Sequence, residues 1–254
     1  MRFRIIADAR MGKGSRDVQQ DNVCISEGGE RGLLAVLSDG IGGMEDGELF
    51  SAIAIREMMD AFEADDPNAG LCARLVAAYQ RARRAALEFS RTRQVDGGAT
   101  VVAVLIRNNR CAFLSAGDSK LYLFRRGAPI QLNREQTFGK LLDELAALGR
   151  IPREEARNNI YRKALINNLA ETKEYPCDVC AHPFRLQAGD KIALMSDGVF
   201  EALDDAAIAG LLPGPANECA QRIINAVQDR NLPRQDNYSA IVISVEGFRV
   251  RKNR

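Results

Sequence analysis

The stretch Leu33-Leu34-Ala35-Val36-Leu37-Ser38-Asp39-Gly40 decides how this chain folds. Its unbroken apolar run predicts a β-strand that is buried on both faces. The Asp-Gly pair that ends the run predicts a carboxylate at the rim of a sheet, because glycine lets the chain turn sharply there. The same stretch therefore predicts both a core strand and a candidate functional carboxylate.

Three further aspartate motifs stand at predicted strand ends and are spread along the chain. They are Gln20-Asp21-Asn22, Ser196-Asp197-Gly198 and Asp236-Asn237. A single Asp-Gly pair is most often only a turn. Acidic rims that converge in space would instead supply oxygen ligands for hard divalent cations. The set as a whole therefore predicts a metal-dependent hydrolase of phosphate esters.

The residue types of this set fit binuclear metal chemistry. The two oxygens of Asp39 can bridge two metals, and the Gly40 carbonyl can face one of them. Asp197 and Asp236 can complete the coordination of one metal. Two cations about 3.5–4 Å apart would hold a shared water, lower its pKa and orient a phosphoryl group for in-line attack. Arg16 is the candidate phosphate ligand, because a guanidinium fork matches phosphate oxygens.

Composition places the chain among ordinary globular proteins. It has 254 residues, of which 46% are hydrophobic and 27% charged, and its formal net charge is +1. This charge balance gives no indication of nucleic-acid binding. We expect no membrane segment and a cytoplasmic location, since no apolar stretch of membrane-spanning length and no leader pattern occurs. In that compartment the six cysteines are expected to be free thiols.

Several other chemistries are excluded by what the sequence lacks. The single histidine, His182, excludes His-rich metal triads. A Ser-His-Asp triad would need this same residue, and a half-buried or surface histidine is the alternative. No P-loop occurs, and no cysteine has an arginine six positions later, as a cysteine phosphatase loop requires. Cys177-x-x-Cys180 beside His182 leaves a zinc or redox site open, against ordinary small strand residues.

Predicted strands come in blocks that are interrupted by helices, which indicates an α+β fold rather than strict βαβ alternation. The predicted strands are 4–9, 22–26, 33–38, 99–106, 111–116, 121–125, 178–185, 190–196 and 239–246. The predicted helices are 47–62, 69–92, 136–170, 204–212 and 217–230. No internal repeat or linker separates them, so residues 1–254 are expected to form one domain.

Taken in order, the motifs resemble those of the metal-dependent Ser/Thr protein phosphatases of type 2C, the PPM family, in their bacterial form. The resemblance runs from Gly14 to Val245. The matching segments are Gly14–Asp21 for Arg-x-x-Asn-Gln/Glu-Asp, Ser38–Gly43 for Asp-Gly-hydrophobic-Gly-Gly, Gly98–Thr100 for Gly-Thr/Ser-Thr, Ala116–Tyr122 for Val-Gly-Asp-Ser-Arg, Leu132–Gln136 for Leu-Thr-x-Asp-His, Gly189–Gly198 for Gly-Asp…Ser-Asp-Gly, and Asp236–Ser239 for Asp-Asn-x-Thr.

The resemblance implies a four-layer αββα sandwich, with two antiparallel β-sheets flanked by helix pairs. It also implies a binuclear centre of Mn²⁺ or Mg²⁺ at one sheet rim. Asp39 would bridge the two ions, and the Gly40 carbonyl would bind one of them. Asp197 and Asp236 would bind the other ion. Asp118, with Asp197, would hold the third, weaker ion of bacterial members.

The same resemblance implies the reaction and its partners. Asp21 would orient metal-bound water, Arg16 would hold the phosphate, and residues 134–170 match the variable flap that approaches substrate. The expected substrates are proteins phosphorylated on Ser or Thr, and a Ser/Thr kinase is the expected opposing enzyme. Two alternatives stay open: a phosphoprotein-binding scaffold of the same fold, and a hydrolase of small phosphate esters or nucleic acid.

The chain departs from the family pattern at a few positions. Ile41 stands where eukaryotic members carry a histidine acid, so the leaving-group proton must come from water or elsewhere. Gln20 replaces an acidic residue of some members, which is expected to weaken one metal site. Lys120 and Ser239 are milder changes, and Ala170 stands where a glycine is usual. The poor match of the flap, which includes Ala170, concerns substrate identity rather than the chemistry.

Overall fold

The computed structural model describes residues 2–41, 46–173 and 175–248. The strands are β1 (Arg2–Gly12), β2 (Asp21–Glu27), β3 (Leu33–Asp39), β4 (Val101–Arg107), β5 (Arg110–Ala116), β6 (Lys120–Arg125), β7 (Ala128–Gln131), β8 (Asp178–Val179), β9 (Phe184–Arg185), β10 (Lys191–Met195) and β11 (Tyr238–Phe248). The helices are α1 (Gly47–Ala64), α2 (Leu71–Arg93), α3 (Phe138–Ala147), α4 (Arg153–Asn158), α5 (Asp197–Phe200), α6 (Asp205–Leu211) and α7 (Ala216–Arg230). None of the helices in the described part of the chain has both the length and the apolar character that crossing a membrane requires.

The strands form two antiparallel sheets that are stacked between helices. One sheet has the order β1-β11-β10-β6-β7, and the other has the order β2-β3-β4-β5-β8, with β9 also paired to β5. Helices α1 and α2 pack on the sheet that contains β3, whereas α5, α6 and α7 pack on the sheet that contains β11. The inner faces of the two sheets form a further apolar layer between them. The predicted αββα sandwich is therefore confirmed.

Strand β3 shows why its sequence decides the fold. Leu34 and Val36 pack in the layer formed with α1 and α2, whereas Leu33, Ala35 and Leu37 pack in the layer between the sheets. Alternate side chains of a strand face opposite sides of its sheet. A strand with a helix layer on one side and a second sheet on the other therefore needs apolar residues at every position. The prediction of a strand buried on both faces is confirmed.

The register of the sheets brings the aspartate motifs to one rim. Strand β2 begins at Asp21 and β3 ends at Asp39, and these two residues lie directly opposite each other in the antiparallel ladder. In the other sheet, Asp197 follows β10 and Asp236 precedes β11, its antiparallel neighbour. Antiparallel pairing places the end of one strand beside the start of the next. Residues that are far apart in sequence thus meet at one edge of the sandwich.

The prediction of a continuous helix over 136–170 was wrong. The segment contains only α3 and α4, which are separated by Gly149 at a φ of +70° and by Pro152. The chain after α4 folds back on α3, because the amides of the first two residues of α3 donate to carbonyls of residues 164 and 162. These long-range hydrogen bonds take the place of helical ones in this part of the segment. Residues 136–170 therefore form a folded-back segment with two short helices.

The predicted strand over 178–185 was also wrong in extent. It consists of two separate two-residue strands, β8 and β9, and both pair with β5. Pro183 lies between them and has no amide hydrogen to donate to a ladder. The region therefore touches the sheet edge twice instead of forming a continuous edge strand.

Candidate active site

The backbone of Asp39 is fixed at the rim by Thr100. The Asp39 carbonyl accepts a hydrogen bond from Thr100 N at 2.8 Å, and the Asp39 amide donates to Thr100 Oγ1 at 3.2 Å. Thr100 Oγ1 also lies 2.7 Å from Ser119 Oγ. These contacts join the end of β3 to the loop that follows β5. They hold the predicted bridging aspartate in place without using its carboxylate.

Gly40 continues the turn after this aspartate. Its amide donates to Gln20 O at 3.1 Å, and a Cβ at this position would collide with the Gly47 carbonyl. Glycine is therefore required for the close approach between the end of β3 and the start of α1. Gly42 and Gly43, which belong to the same predicted glycine-rich segment, lie outside the described residues.

Asp21 joins the two sheets through two serine hydroxyls. Ser196 Oγ and Ser239 Oγ donate to Asp21 Oδ2 at 2.8 Å and 2.6 Å. The Ser239 amide donates in turn to Ser196 Oγ at 2.9 Å and so orients that hydroxyl. Asp21 Oδ1 is buried and has no hydrogen-bond partner among the described residues. Because an unpaired buried acceptor is unfavourable, Oδ1 is the atom of Asp21 that is available to a proton donor or a cation.

Repulsion between carboxylates dominates the electrostatics of the rim. Burial raises the pKa of Asp39 well above its usual range, and the charges of Asp21 and Asp197 add to this rise. Burial, together with the charges of Asp118 and Asp236, raises the pKa of Asp197 to about 7. Burial also raises the pKa of Asp118 to about 6. The predicted acidic residues are therefore close enough in space for each to disfavour the ionisation of others.

Arg16 meets this cluster from the loop between β1 and β2. Its Nη2 atom lies 2.6 Å from Asp236 Oδ2. The loop is fixed by Asn237, whose Nδ2 donates to Lys13 O at 2.7 Å and whose Oδ1 accepts from Gln20 N at 2.8 Å. A guanidinium has five N–H donors, and the side chain of Arg16 is 43% exposed. Donors of Arg16 therefore remain accessible to a phosphate group.

The residues present fit a hard divalent cation. Carboxylate and carbonyl oxygens are the ligands that Mg²⁺ and Mn²⁺ prefer. Among residues 2–41, 46–173 and 175–248, no three Asp, Glu, His or Cys side chains converge tightly enough to enclose one ion. The carboxylates repel one another, and Asp236 is paired with Arg16, so they line a common rim instead. A cation would relieve both this repulsion and the unpaired Oδ1 of Asp21.

The sequence predictions missed the residues that hold the aspartates and one residue of the flap. Three of them lie within the motifs that resemble the family: Thr100, Ser196 and Asn237. Their place in these motifs was the only feature of the sequence that could have identified them. Lys163 donates to Glu201 Oε1 at 2.5 Å, at the end of the short helix that begins with Asp197. Nothing in the local sequence marks Lys163, because its contact depends on how the flap folds back.

Comparison with known proteins identifies similar chains along most of the sequence. The family model described as Protein phosphatase 2C matches residues 12–235. The serine/threonine protein phosphatase PstP of Mycobacterium tuberculosis is 32% identical over 219 residues, which cover 85% of this chain and 41% of PstP. The serine/threonine phosphatase stp of Listeria innocua is 23% identical over 245 residues, which cover 93% of this chain and 94% of stp.

Solved structures show the same similarity in three dimensions. The catalytic domain of PstP in complex with two manganese ions has a TM-score of 0.78 and is 29% identical, with 96% of this chain and 100% of that chain covered. The chain thus spans 41% of the length of the PstP sequence that it matches. The part of PstP that it matches in structure is the catalytic domain.

Ser239→Ala removes one of the two hydroxyls that hold Asp21 Oδ2. We expect the free energy of unfolding to fall by about 1.5–3 kcal/mol, the range for a hydrogen bond to a charged group. Urea unfolding of the metal-free protein measures this change. Ser239→Thr keeps a hydroxyl at this position and is the matched control. Equal stabilities of the Ala and Thr variants would contradict the proposed contribution of the hydroxyl.

Asp197→Asn should have opposite effects on stability in EDTA and in Mn²⁺. The pKa of Asp197 is higher in the folded than in the unfolded chain, so the folded chain binds more protons at this carboxyl. The contribution of Asp197 to the free energy of unfolding therefore falls as the pH rises from about 4 to about 7. At pH 7.5 in EDTA, the uncharged Asn variant should therefore melt at a higher temperature than the wild type. Saturating Mn²⁺ should reverse the order if Asp197 is a metal ligand, because an ion bound by this carboxylate would stabilise the folded chain.

Thermal unfolding at pH 5 and pH 7.5 measures both effects. The advantage of the Asn variant in EDTA should shrink at pH 5, where Asp197 is protonated in the folded protein. An Asn variant that melts below the wild type in EDTA at pH 7.5 would show that the charge of Asp197 does not destabilise the metal-free protein.

Proposed function

Because the chain belongs to the protein phosphatase 2C family, whose model matches residues 12–235, we propose that it hydrolyses phosphoserine and phosphothreonine in proteins, with water activated by a binuclear Mn²⁺ or Mg²⁺ centre. The family resemblance predicted from the aspartate motifs is confirmed. The observation that carries the proposed activity is the meeting of Asp39, Asp197 and Asp236 with Arg16 at one rim. Similar proteins are named serine/threonine phosphatases, and one of them holds two manganese ions.

The metal ligands in this proposal are the oxygens of the rim. Asp39 would bridge the two core ions, and the Gly40 carbonyl would bind one of them. Asp197 and Asp236 would bind the other ion, and Asp118 would share a third with Asp197. When bound, the ions lower the pKa of a water molecule and neutralise charge on the phosphoryl group. The raised pKa values of Asp39 and Asp197 support these roles, since a cation favours the ionised form of both.

Two residues of the chain would act on the water and on the phosphate. Asp21 is held by its Oδ2 atom, so its free Oδ1 would accept a hydrogen bond from the attacking water and orient it. Arg16 would bind phosphoryl oxygens through its fork of N–H donors. Its present ion pair with Asp236 at 2.6 Å places the guanidinium beside a candidate metal ligand. Substrate phosphate and candidate metal ligands would therefore be within reach of one another.

The substrates in this proposal are phosphorylated proteins, and the opposing enzyme is a Ser/Thr kinase. Residues 134–170 would form the flap that contacts the protein part of the substrate. The hydrogen bond from Lys163 of this segment to Glu201, near Asp197, supports this position. The net charge of +1 does not favour nucleic acid as a substrate. A cytoplasmic location agrees with six cysteines that are all unpaired. We propose that residues 1–254 form one phosphatase domain.

Asp39→Asn tests the activity and the bridging ligand together. We expect Mn²⁺-dependent release of phosphate from a phosphothreonine peptide by the wild type, and at least a 100-fold loss in the variant, since the bridging charge is removed. Circular dichroism and the melting temperature in EDTA would show that the variant is folded. Undiminished turnover by the folded variant would refute the site.

The same assay separates the proposed function from its alternatives. A folded wild type that binds Mn²⁺ in calorimetry but releases no phosphate from several phosphopeptides would indicate a binding scaffold. A preference for nucleotides or small phosphate esters over phosphopeptides would indicate a different metal phosphohydrolase.

Arg16→Ala and Arg16→Lys test the phosphate ligand. Loss of charge-assisted hydrogen bonds worth about 1.5–3 kcal/mol predicts a fall in kcat/KM of about 10- to 100-fold for the Ala variant. The Lys variant should recover only part of this loss, because an ammonium keeps the charge but lacks the planar fork. Steady-state kinetics on a phosphopeptide measure both variants. Wild-type kcat/KM in the Ala variant would remove Arg16 from phosphate binding.

A further inference from the structure

Two cysteines that are far apart in sequence lie side by side outside the candidate active site. Cys72 belongs to the first turn of α2, and Cys180 directly follows β8. Their Sγ atoms are 3.6 Å apart across 108 positions of sequence. Both side chains are partly exposed, and neither is in a disulfide. The sulfur that contacts Cys180 of the Cys177-x-x-Cys180 motif therefore belongs to Cys72 in α2.

The backbone around Cys180 holds its sulfur in a defined position. Its amide donates to Phe113 O at 3.2 Å, and its Sγ accepts a hydrogen bond from Phe113 N at 3.3 Å. The Sγ of Cys72 lies 3.4 Å from Cys180 O and can also donate to Cys180 Sγ. In this arrangement the Cys180 sulfur is a hydrogen-bond acceptor, whereas the Cys72 thiol is a donor. Cys180 is therefore the sulfur of the pair that is prepared to attack.

Cys72 has the complementary character. Burial raises the pKa of the Cys72 thiol to about 11, and the neighbouring Cys180 adds to the rise. Cys72 thus keeps its proton at neutral pH, and its S–H points at the Cys180 residue. A pair with one attacking and one resolving thiol is the arrangement by which peroxide converts two cysteines into a disulfide.

We propose that Cys72 and Cys180 are a modification site at which a hydroperoxide forms a reversible disulfide. In the first step the Cys180 thiol gives up its proton and its sulfur attacks one oxygen of hydrogen peroxide. An S–O bond forms, the O–O bond breaks, and the leaving hydroxide takes up that proton to become water. In the second step Cys72 sulfur attacks the sulfenic sulfur, the S–O bond breaks, and the Cys72 proton leaves in a second water. Two thiols and one peroxide give one disulfide and two waters.

The geometry favours a disulfide between Cys72 and Cys180 over one between Cys177 and Cys180. The Sγ atoms of Cys72 and Cys180 must close from 3.6 Å to the disulfide bond length of about 2.05 Å. Cys177 and Cys180 flank β8, and no sulfur–sulfur contact like that between Cys72 and Cys180 joins them in the described part of the chain. Cys111, the buried thiol nearby, is fully shielded from solvent. Oxidation is therefore directed to Cys72 and Cys180.

The disulfide would join α2 to the segment that follows the flap. That segment is tied to the flap, since the Pro176 carbonyl accepts from Gln136 Nε2 at 2.8 Å. Closing a loop of this length restricts the unfolded chain strongly, so the oxidised protein should melt about 5–10 °C above the reduced protein. The proposal concerns residues away from the carboxylate rim and does not depend on the phosphatase activity.

The test treats the full chain, loaded with Mn²⁺, with a modest excess of hydrogen peroxide and then blocks remaining thiols. Peptide mapping under non-reducing conditions should show Cys72 linked to Cys180, together with the rise in melting temperature, and dithiothreitol should reverse both. Cys177→Ser is the matched control and should form the same bond at the same rate. Cys72→Ser should form no such bond and should accumulate oxidised Cys180.

Two results would overturn the proposal. One is a bond between Cys177 and Cys180 in the wild type in place of the predicted bond. The other is a folded wild type in which Cys72 and Cys180 stay reduced, or Cys180 is oxidised without forming a disulfide, under conditions that oxidise a free peptide thiol. Mass spectrometry of the intact Cys177→Ser variant separates these results, because the predicted bond removes two hydrogens from the chain without adding oxygen.

Discussion

The crowding of carboxylates at one rim is the constraint on which the rest of the structure depends. Five aspartates from separate parts of the chain contribute to this rim: Asp21, Asp39, Asp118, Asp197 and Asp236. Burial and the charges of neighbouring aspartates raise the pKa values of Asp21, Asp39 and Asp197. Like charges in a partly buried site oppose folding. The stability that compensates for them must come from elsewhere, and the three apolar layers on both sides of the two sheets supply it. The apolar core thus supplies the stability that offsets the repulsion between carboxylates at the rim.

The aspartates are held mainly through atoms that are not needed for chemistry. Thr100 binds the backbone of Asp39, and Ser196 and Ser239 bind only one oxygen of Asp21. Asn237 binds the backbone of the loop that carries Arg16. Carboxylate and guanidinium groups are therefore positioned while part of their bonding capacity stays free. Such preorganisation is what electrostatic catalysis requires, because charged groups then need little rearrangement when substrate arrives.

The features that could be predicted from the sequence are those that depend on local interactions. Leu33–Asp39 defined a buried strand and its terminal carboxylate, because apolar patterning and Asp-Gly chemistry act over a few residues. The candidate metal ligands could be proposed because each lies in a short motif of fixed order. The fold of the flap could not be predicted. Residues 159–170 are compatible with a helix, but the carbonyls of residues 162 and 164 accept hydrogen bonds from amides at the start of α3. Lys163 and the Cys72–Cys180 pair were hidden for the same reason, since each contact joins distant segments.

The position of the last strand has a consequence for how the molecule is made. Strand β11 lies between β1 and β10 in its sheet, although it is the last strand among the described residues. Asn237, which fixes the loop that carries Arg16, directly precedes it. During translation β1 therefore emerges long before its partner and waits with an unpaired edge, a state in which slow long-range pairing exposes chains to aggregation. The sheet can therefore be completed, and the Arg16 loop fixed against it, only after residues 238–248 have been synthesised and inserted between β1 and β10.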